Sequence, residues 1–383
     1  MSGQYRFFGA FRLLLALMVV VQHAMPSLGS AGLRAWAAPL EIGSVAVLLF
    51  FVLSGFIVTE ASAMFYEGRG PAFALNRMIR IYPPYAVAVV LTALVSSAIL
   101  SLGGSGAVVS VFGSWPDLSM SNILASLCGI LPVVGKLVEP VGTEPILILA
   151  WALRVELLFY GIVFLALVGG RMFSQPMARL LGVVGFCLLA FDGIRFEYLR
   201  GSALEFTPYF VLGTSIYFAI TPASTPRRAM ALALALASGV MIAAHIVGQT
   251  LFNEKAGFAR DLHGQTIIFF AGILIWLSLI TIPRFWPGLG RRIRDADSAL
   301  GELTYPLYLT HMAALVLSLW LVPAESSFAW PIALGATLVT AQLMTHLVES
   351  RLLALRQRVR GRAAVAPALT LQVRLPSPDQ TAF

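Results

Sequence analysis

The chain has 383 residues, of which 58% are hydrophobic and only 11% charged, and its formal net charge is +8. A soluble domain of this length has nowhere to hide so much apolar surface, and the mean hydropathy of +0.85 points to a polytopic membrane protein. The positive excess does not imply nucleic acid, because the basic residues flank apolar blocks and serve as topology determinants beside an anionic leaflet.

The apolar blocks have the length needed to cross a hydrocarbon core of about 30 Å as helix. Ten can be drawn, at about 8–28, 39–61, 80–102, 145–168, 177–193, 204–220, 229–248, 264–282, 303–322 and 329–349. The expected fold is therefore an all-α membrane helical bundle with no soluble domain. Its organisation is one integral-membrane domain over 1–350 and a basic, then disordered, cytoplasmic tail over 351–383. The apolar stretch Asn122–Val134 is short and broken by Gly129 and Pro132, and reads as an interfacial or re-entrant piece. The basic-apolar pattern at the start of the chain reads as a retained first span rather than a secretion signal, since Arg12 lies within the apolar run.

Ten spans put both termini on one side. With the termini inside, most Arg residues, including Arg77, Arg80, Arg227, Arg228, Arg291, Arg292, Arg294 and the Arg351–Arg362 run, fall in cytoplasmic segments. The outer loops keep only Arg34, Lys136, Arg195, Arg200, Lys255 and Arg260. Cys128 and Cys187 form no paired motif, so neither a disulfide framework nor a metal site is implied.

Ionisable residues inside apolar blocks are costly and mark candidate sites. In the first span Arg12 and His23 are eleven residues apart, about three whole turns, so they share one helix face. His23 is either a packed polar residue or a general base, since an imidazole titrates near neutral pH. Arg12 is near enough to the inner boundary to snorkel. In the second span Phe50–Phe56 carries Ser54 and Gly55, small residues that admit a second helix or a ligand.

Arg77 and Arg80 open the third span on one helical face at the cytoplasmic boundary, where they act as phosphate forks or as positive-inside anchors. Tyr82-Pro83-Pro84-Tyr85 follows as an interfacial aromatic belt with a local kink. The fourth span holds Trp151, Arg154 and Glu156, expected in the outer half of the membrane. Glu156 is suited to orienting an imidazole, holding a sugar hydroxyl or neutralising an Arg. In the ninth span Thr304, Tyr308 and His311 form a polar stripe with Tyr305 off it, while His245 and His346 read as structural.

These motifs resemble the membrane acyltransferase-3 family of O-acetyltransferases that decorate bacterial polysaccharides, lipopolysaccharide and Nod factors. The matching elements are Arg12 to His23, Phe50–Phe56, Arg77–Pro83, the Trp151–Tyr160 motif and Tyr305–His311. The Trp151–Tyr160 form looks like the succinoglycan-acetylating branch. One departure is the run Ala46-Val47-Leu48-Leu49, where many members have an Asp before the paired Phe.

The resemblance implies an acyltransferase of the bacterial inner membrane that takes acetyl from cytosolic acetyl-CoA and gives it to a hydroxyl of a glycan or lipid-linked glycan. It implies His23, Arg12 and Glu156 as the catalytic group, and Arg77 and Arg80 as the acetyl-CoA contacts. Trp151, Tyr308 and His311 are then the acceptor contacts, and no metal is required for a thioester donor. The competing class is a transporter or flippase of lipid-linked sugar, against which the lack of internal repeats counts.

Overall fold

In the computed structural model the described residues are 6–131, 145–169, 203–221, 224–255, 261–285 and 290–361, and among them there are helices and no strand. In chain order the helices are α1 (Gly9–Leu28), α2 (Ala31–Ala37), α3 (Ile42–Phe65), α4 (Gly70–Ser101), α5 (Ser105–Phe112), α6 (Met120–Gly129) and α7 (Ala150–Gly169). There follow α8 (Thr207–Ile220), α9 (Thr225–Lys255), α10 (Leu262–Phe285), α11 (Arg291–Leu321), α12 (Ala329–Met344) and α13 (Ser350–Arg360). Eight of the described segments are long and apolar enough to cross a membrane. They correspond to eight of the ten expected spans, and the chain is a multi-pass membrane protein. The expected span at 177–193, Cys187 and the tail beyond Gly361 lie outside the described residues.

The remaining expected span is α8, only 14 residues long and preceded by the 3-10 turn Ala203–Phe206. At 10 residues α6 rises about 15 Å, half of a hydrocarbon core, which agrees with its being too brief to span. Two boundaries differ from expectation. α4 begins at Gly70, ten residues before the expected start, so Arg77 and Arg80 lie inside a 32-residue helix rather than at its mouth. After α12 a single π turn, Thr345–Glu349, leads into α13, so the basic run that opens the expected tail is helical as far as Arg360.

Contacts between backbones fix how α1, α3, α8 and α11 meet. A Cβ on Gly213 would lie 1.9 Å from the Val52 carbonyl oxygen, and one on Gly55 would lie 2.2 Å from that of Phe210. The small residues of the Phe50–Phe56 stretch therefore admit α8, with Thr59 and Thr214 hydrogen-bonded through their hydroxyls at 2.9 Å. At the start of α1 both carboxylate oxygens of Asp297, on α11, accept the backbone N–H groups of Gly9 (3.0 Å) and Ala10 (2.9 Å). Farther along α1, Gln22 Oε1 accepts Gly43 N–H at 2.6 Å and Ser44 N–H at 3.3 Å, capping α3. Helix N-termini leave orphan N–H groups, and here a neighbouring helix satisfies them. The register of α1, which carries Arg12 and His23, is thereby tied to α11 at one end and to α3 near the other.

Tyr85 corrects the expected aromatic belt. It is fully buried, and its hydroxyl donates to the Ser126 carbonyl at 2.6 Å, joining α4 to α6. A phenol that finds a partner in the interior is a core residue rather than an interfacial one.

Candidate active site

Five helices, α1, α3, α4, α7 and α11, converge on a cavity of about 100 Å³. Its charged lining is Arg12 from α1, Arg77 and Arg80 from α4 and Glu156 from α7. Ser54, Tyr160, Thr304, Tyr305 and Tyr308 supply hydroxyls, and apolar side chains of α3 close it. Three guanidiniums and one carboxylate in an apolar bundle are a concentration of charge that packing alone does not call for.

Glu156 is held by two hydroxyls. Ser54 Oγ donates to its Oε1 at 3.1 Å, and Tyr160, one turn further on α7, donates to the same oxygen. Arg12, Arg77 and Arg80 line the same cavity as this carboxylate. Arg77 is 4% exposed, with its guanidinium between the rings of Phe73 (5.3 Å) and Tyr160 (5.2 Å). Such cation–π contacts fix the direction of the group without neutralising it. Its Nε is shut away from solvent and has no hydrogen-bond partner among the described residues. Tyr305 donates to the Ile81 carbonyl at 2.9 Å and Tyr308 to that of Leu149 at 3.2 Å, so both phenols are anchored while their rings form the wall.

Glu156, Arg12 and the Arg pair come from three helices and different expected positions along their spans, and all four line one cavity. At 32 residues α4 rises about 48 Å, longer than a hydrocarbon core, so it carries Arg77 and Arg80 well within the helix rather than at its end.

The two histidines meet elsewhere. His23 on α1 and His311 on α11 have ring centroids 5.2 Å apart, and neither lines the cavity. Tyr308 links the two places, since it lines the cavity and its ring lies 6.3 Å from that of His311. His23 Nδ1 is 2.9 Å from the Val19 carbonyl and His311 Nδ1 is 2.8 Å from the Tyr308 carbonyl. A carbonyl oxygen only accepts, so each Nδ1 carries the hydrogen and each Nε2 keeps its lone pair. His311 is fully buried, and its Nε2 has no partner among the described residues. The arrangement offers two imidazole bases of fixed tautomer, with Tyr308 shared between them and the cationic cavity.

Trp151 is not part of the cavity. It is 39% exposed and packs against Phe51 (6.2 Å) and Phe206 (5.5 Å). His245 bonds to the Tyr209 hydroxyl at 2.9 Å and belongs to the same aromatic region. Ser54, Tyr160 and Tyr305, which the sequence marks only as members of the Phe50–Phe56, Trp151–Tyr160 and Tyr305–His311 motifs, also line the cavity. Tyr160 follows Glu156 by four residues, a spacing that puts the two on one helix face and was readable in advance. Tyr305 was placed off the polar stripe of α11, but the cavity wraps more of that helix than one stripe.

A helical membrane bundle with this constellation fits an integral-membrane group-transfer enzyme. The comparison with known sequences names the group: residues 5–346 match the Acyltransferase domain profile, Acyl_transf_3. The chain belongs to this acyltransferase-3 family and is a membrane acyltransferase, which decides against the transporter class. It is also similar to the protein of Komagataeibacter xylinus named "Putative membrane-bound transacylase BcsY", at 25% identity over 326 residues, covering 82% of this chain and 76% of that one. No solved structure matches the chain.

Proposed function

We propose that the protein is an O-acetyltransferase of the bacterial inner membrane, moving acetyl from cytosolic acetyl-CoA to a hydroxyl of an exopolysaccharide, lipopolysaccharide or related glycan, with both termini cytoplasmic. The observation that carries this reading is the cavity lined by Arg12, Arg77 and Arg80, with the His23–His311 pair beyond Tyr308. Guanidinium forks suit the phosphates of the donor. The apolar wall from Val47 to Val58 suits its pantetheine arm.

In the reaction His23 Nε2 takes the proton of the acceptor hydroxyl. The oxygen attacks the thioester carbonyl, the C–S bond breaks, and the leaving thiolate takes the proton back from the imidazolium. No proton is gained or lost overall, which suits a base buried in a bundle. Glu156, fixed by Ser54 and Tyr160, balances part of the arginine charge and holds the cavity together before the donor arrives. The aromatic region around Trp151 and Phe206 offers the flat apolar faces that sugar rings pack against.

The test is reconstitution into liposomes with radiolabelled acetyl-CoA inside and surface glycan from a strain lacking the protein outside. Label is expected in base-labile ester on the glycan. Label retained entirely in the donor pool, with the same glycan acetylated normally by the parent strain, would overturn the assignment.

A further inference from the structure

The basic chemistry around the cavity continues into α13. This helix carries Arg351, Arg356, Arg358 and Arg360, and Asn76 of α4 and Arg69 just before it fix it in place. Asn76, itself 2% exposed, donates Nδ2 to the Arg356 carbonyl at 2.7 Å. Arg69 donates to the carbonyls of Val359 and Arg360, both at 3.0 Å, and so caps the C-terminus of α13 with a cation, as the helix dipole favours. Asn76 immediately precedes Arg77. The clamp therefore holds α13 against α4 at the turn that carries Arg77, although Arg356 does not itself line the cavity described above.

The four arginines of α13 are not alike. Arg351 and Arg358 are exposed, as interfacial anchors would be. Arg356 has a side chain only 17% exposed, and its Nε is shut from solvent with no partner among the described residues. Its Nη1 faces Glu349 Oε2 across 3.5 Å, and Glu349 ends the π turn, which packs against α4 and α11. Arg77 on α4 and Arg356 on α13 each keep an Nε shut from solvent with no partner among the described residues. Two buried guanidinium donors of this kind on neighbouring helices suit an anion that both could reach.

We propose that Arg356 is a third arginine of the donor site and contacts a phosphate of a nucleotide-bearing thioester, with Glu349 orienting its guanidinium. The proposal rests on the donor reading above and adds the C-terminal helix to that site. The full chain in phosphatidylcholine nanodiscs, which keep anionic headgroups from competing, is titrated with CoA and with pantetheine, which has no phosphate. Arg356→Ala is expected to weaken CoA about 10-fold or more, the usual worth of a charged hydrogen bond, and to leave pantetheine unchanged. Arg356→Lys, which keeps the charge without the fork, falls between the two. Parental CoA affinity in Arg356→Ala, or an equal loss for both ligands, would show that α13 is only an anchor or a packing element. A lipid phosphate as the true partner would appear as CoA affinity indifferent to Arg356 in these discs and as weaker retention of the variant in phosphatidylglycerol discs. Should the parent protein bind no CoA, the donor reading itself falls, a result distinct from the failure of Arg356 alone.

Discussion

His23 and Glu156 separate two kinds of buried polar residue. His23 keeps a lone pair on Nε2 because Nδ1 is committed to Val19, and it is the more accessible of the paired imidazoles. His23→Gln keeps hydrogen bonding and approximate size but cannot take a proton, so transfer is expected to fall by about 10²–10⁴-fold while CoA affinity holds. Near-parental transfer by a normally inserted His23→Gln protein would move the base to His311. Glu156→Gln keeps acceptors for Ser54 and Tyr160 but leaves three guanidiniums facing one another. Removing one partner of a buried charge cluster costs on the order of 3–5 kcal/mol, so the ligand-free protein is expected to unfold at a lower temperature in detergent, and CoA to restore much of the difference. An unchanged midpoint would mean that Glu156 does not balance the arginines. The types of these residues were legible in the sequence, since ionisable groups in apolar blocks are few. Their partners were not, because Ser54 and Glu156 are 102 positions apart and only the packing of α3 on α7 brings them together.

The same distinction holds for whole elements. Hydropathy located α1, α3 and α7 to within several residues, because about 20 apolar residues are required for each crossing and the requirement is local. The helices run past the expected spans at the start of α4 and through 350–360. In both places the helix continues through polar residues that face other helices, through Asn76 and Arg77 in the one and Arg356 in the other. Asp297 shows how an element is set in register by a distant one. Asp297→Ala removes the acceptor for two N–H groups at the start of α1, a loss of about 1–2 kcal/mol by analogy with helix caps. Transfer is expected to drop more than CoA affinity, because α1 carries the base. A thermal shift with unaltered transfer would confine Asp297 to stability.

For the whole molecule the prediction concerns sidedness. With both termini and the Ala61–Asn76 segment inside, the Gly103–Ser121 segment faces outside, as the distribution of Arg requires. Gly106 is the better probe there, because a Cβ on it would meet nothing within 4 Å, whereas neighbouring Val108 is packed against Ile99 and Val316. In a Cys128/Cys187-free background, Gly106→Cys is expected to react with an impermeant thiol reagent in intact cells with a permeable outer membrane. Labelling only after the inner membrane is opened would invert the topology. The sequence by itself determined the membrane class, the position of eight crossing helices and the residues that carry charge into them, since these follow from composition and from spacing within single helices. Only the tertiary structure decided that Arg12, Arg77, Arg80 and Glu156 line one cavity, that His23 meets His311 and that α13 lies beside the arginine pair. Those meetings depend on the depth and rotation of each helix, which are set by Asp297 on α1, Gln22 on α3, Gly55 against Gly213 and Asn76 on α13, contacts whose partners stand up to 288 positions apart.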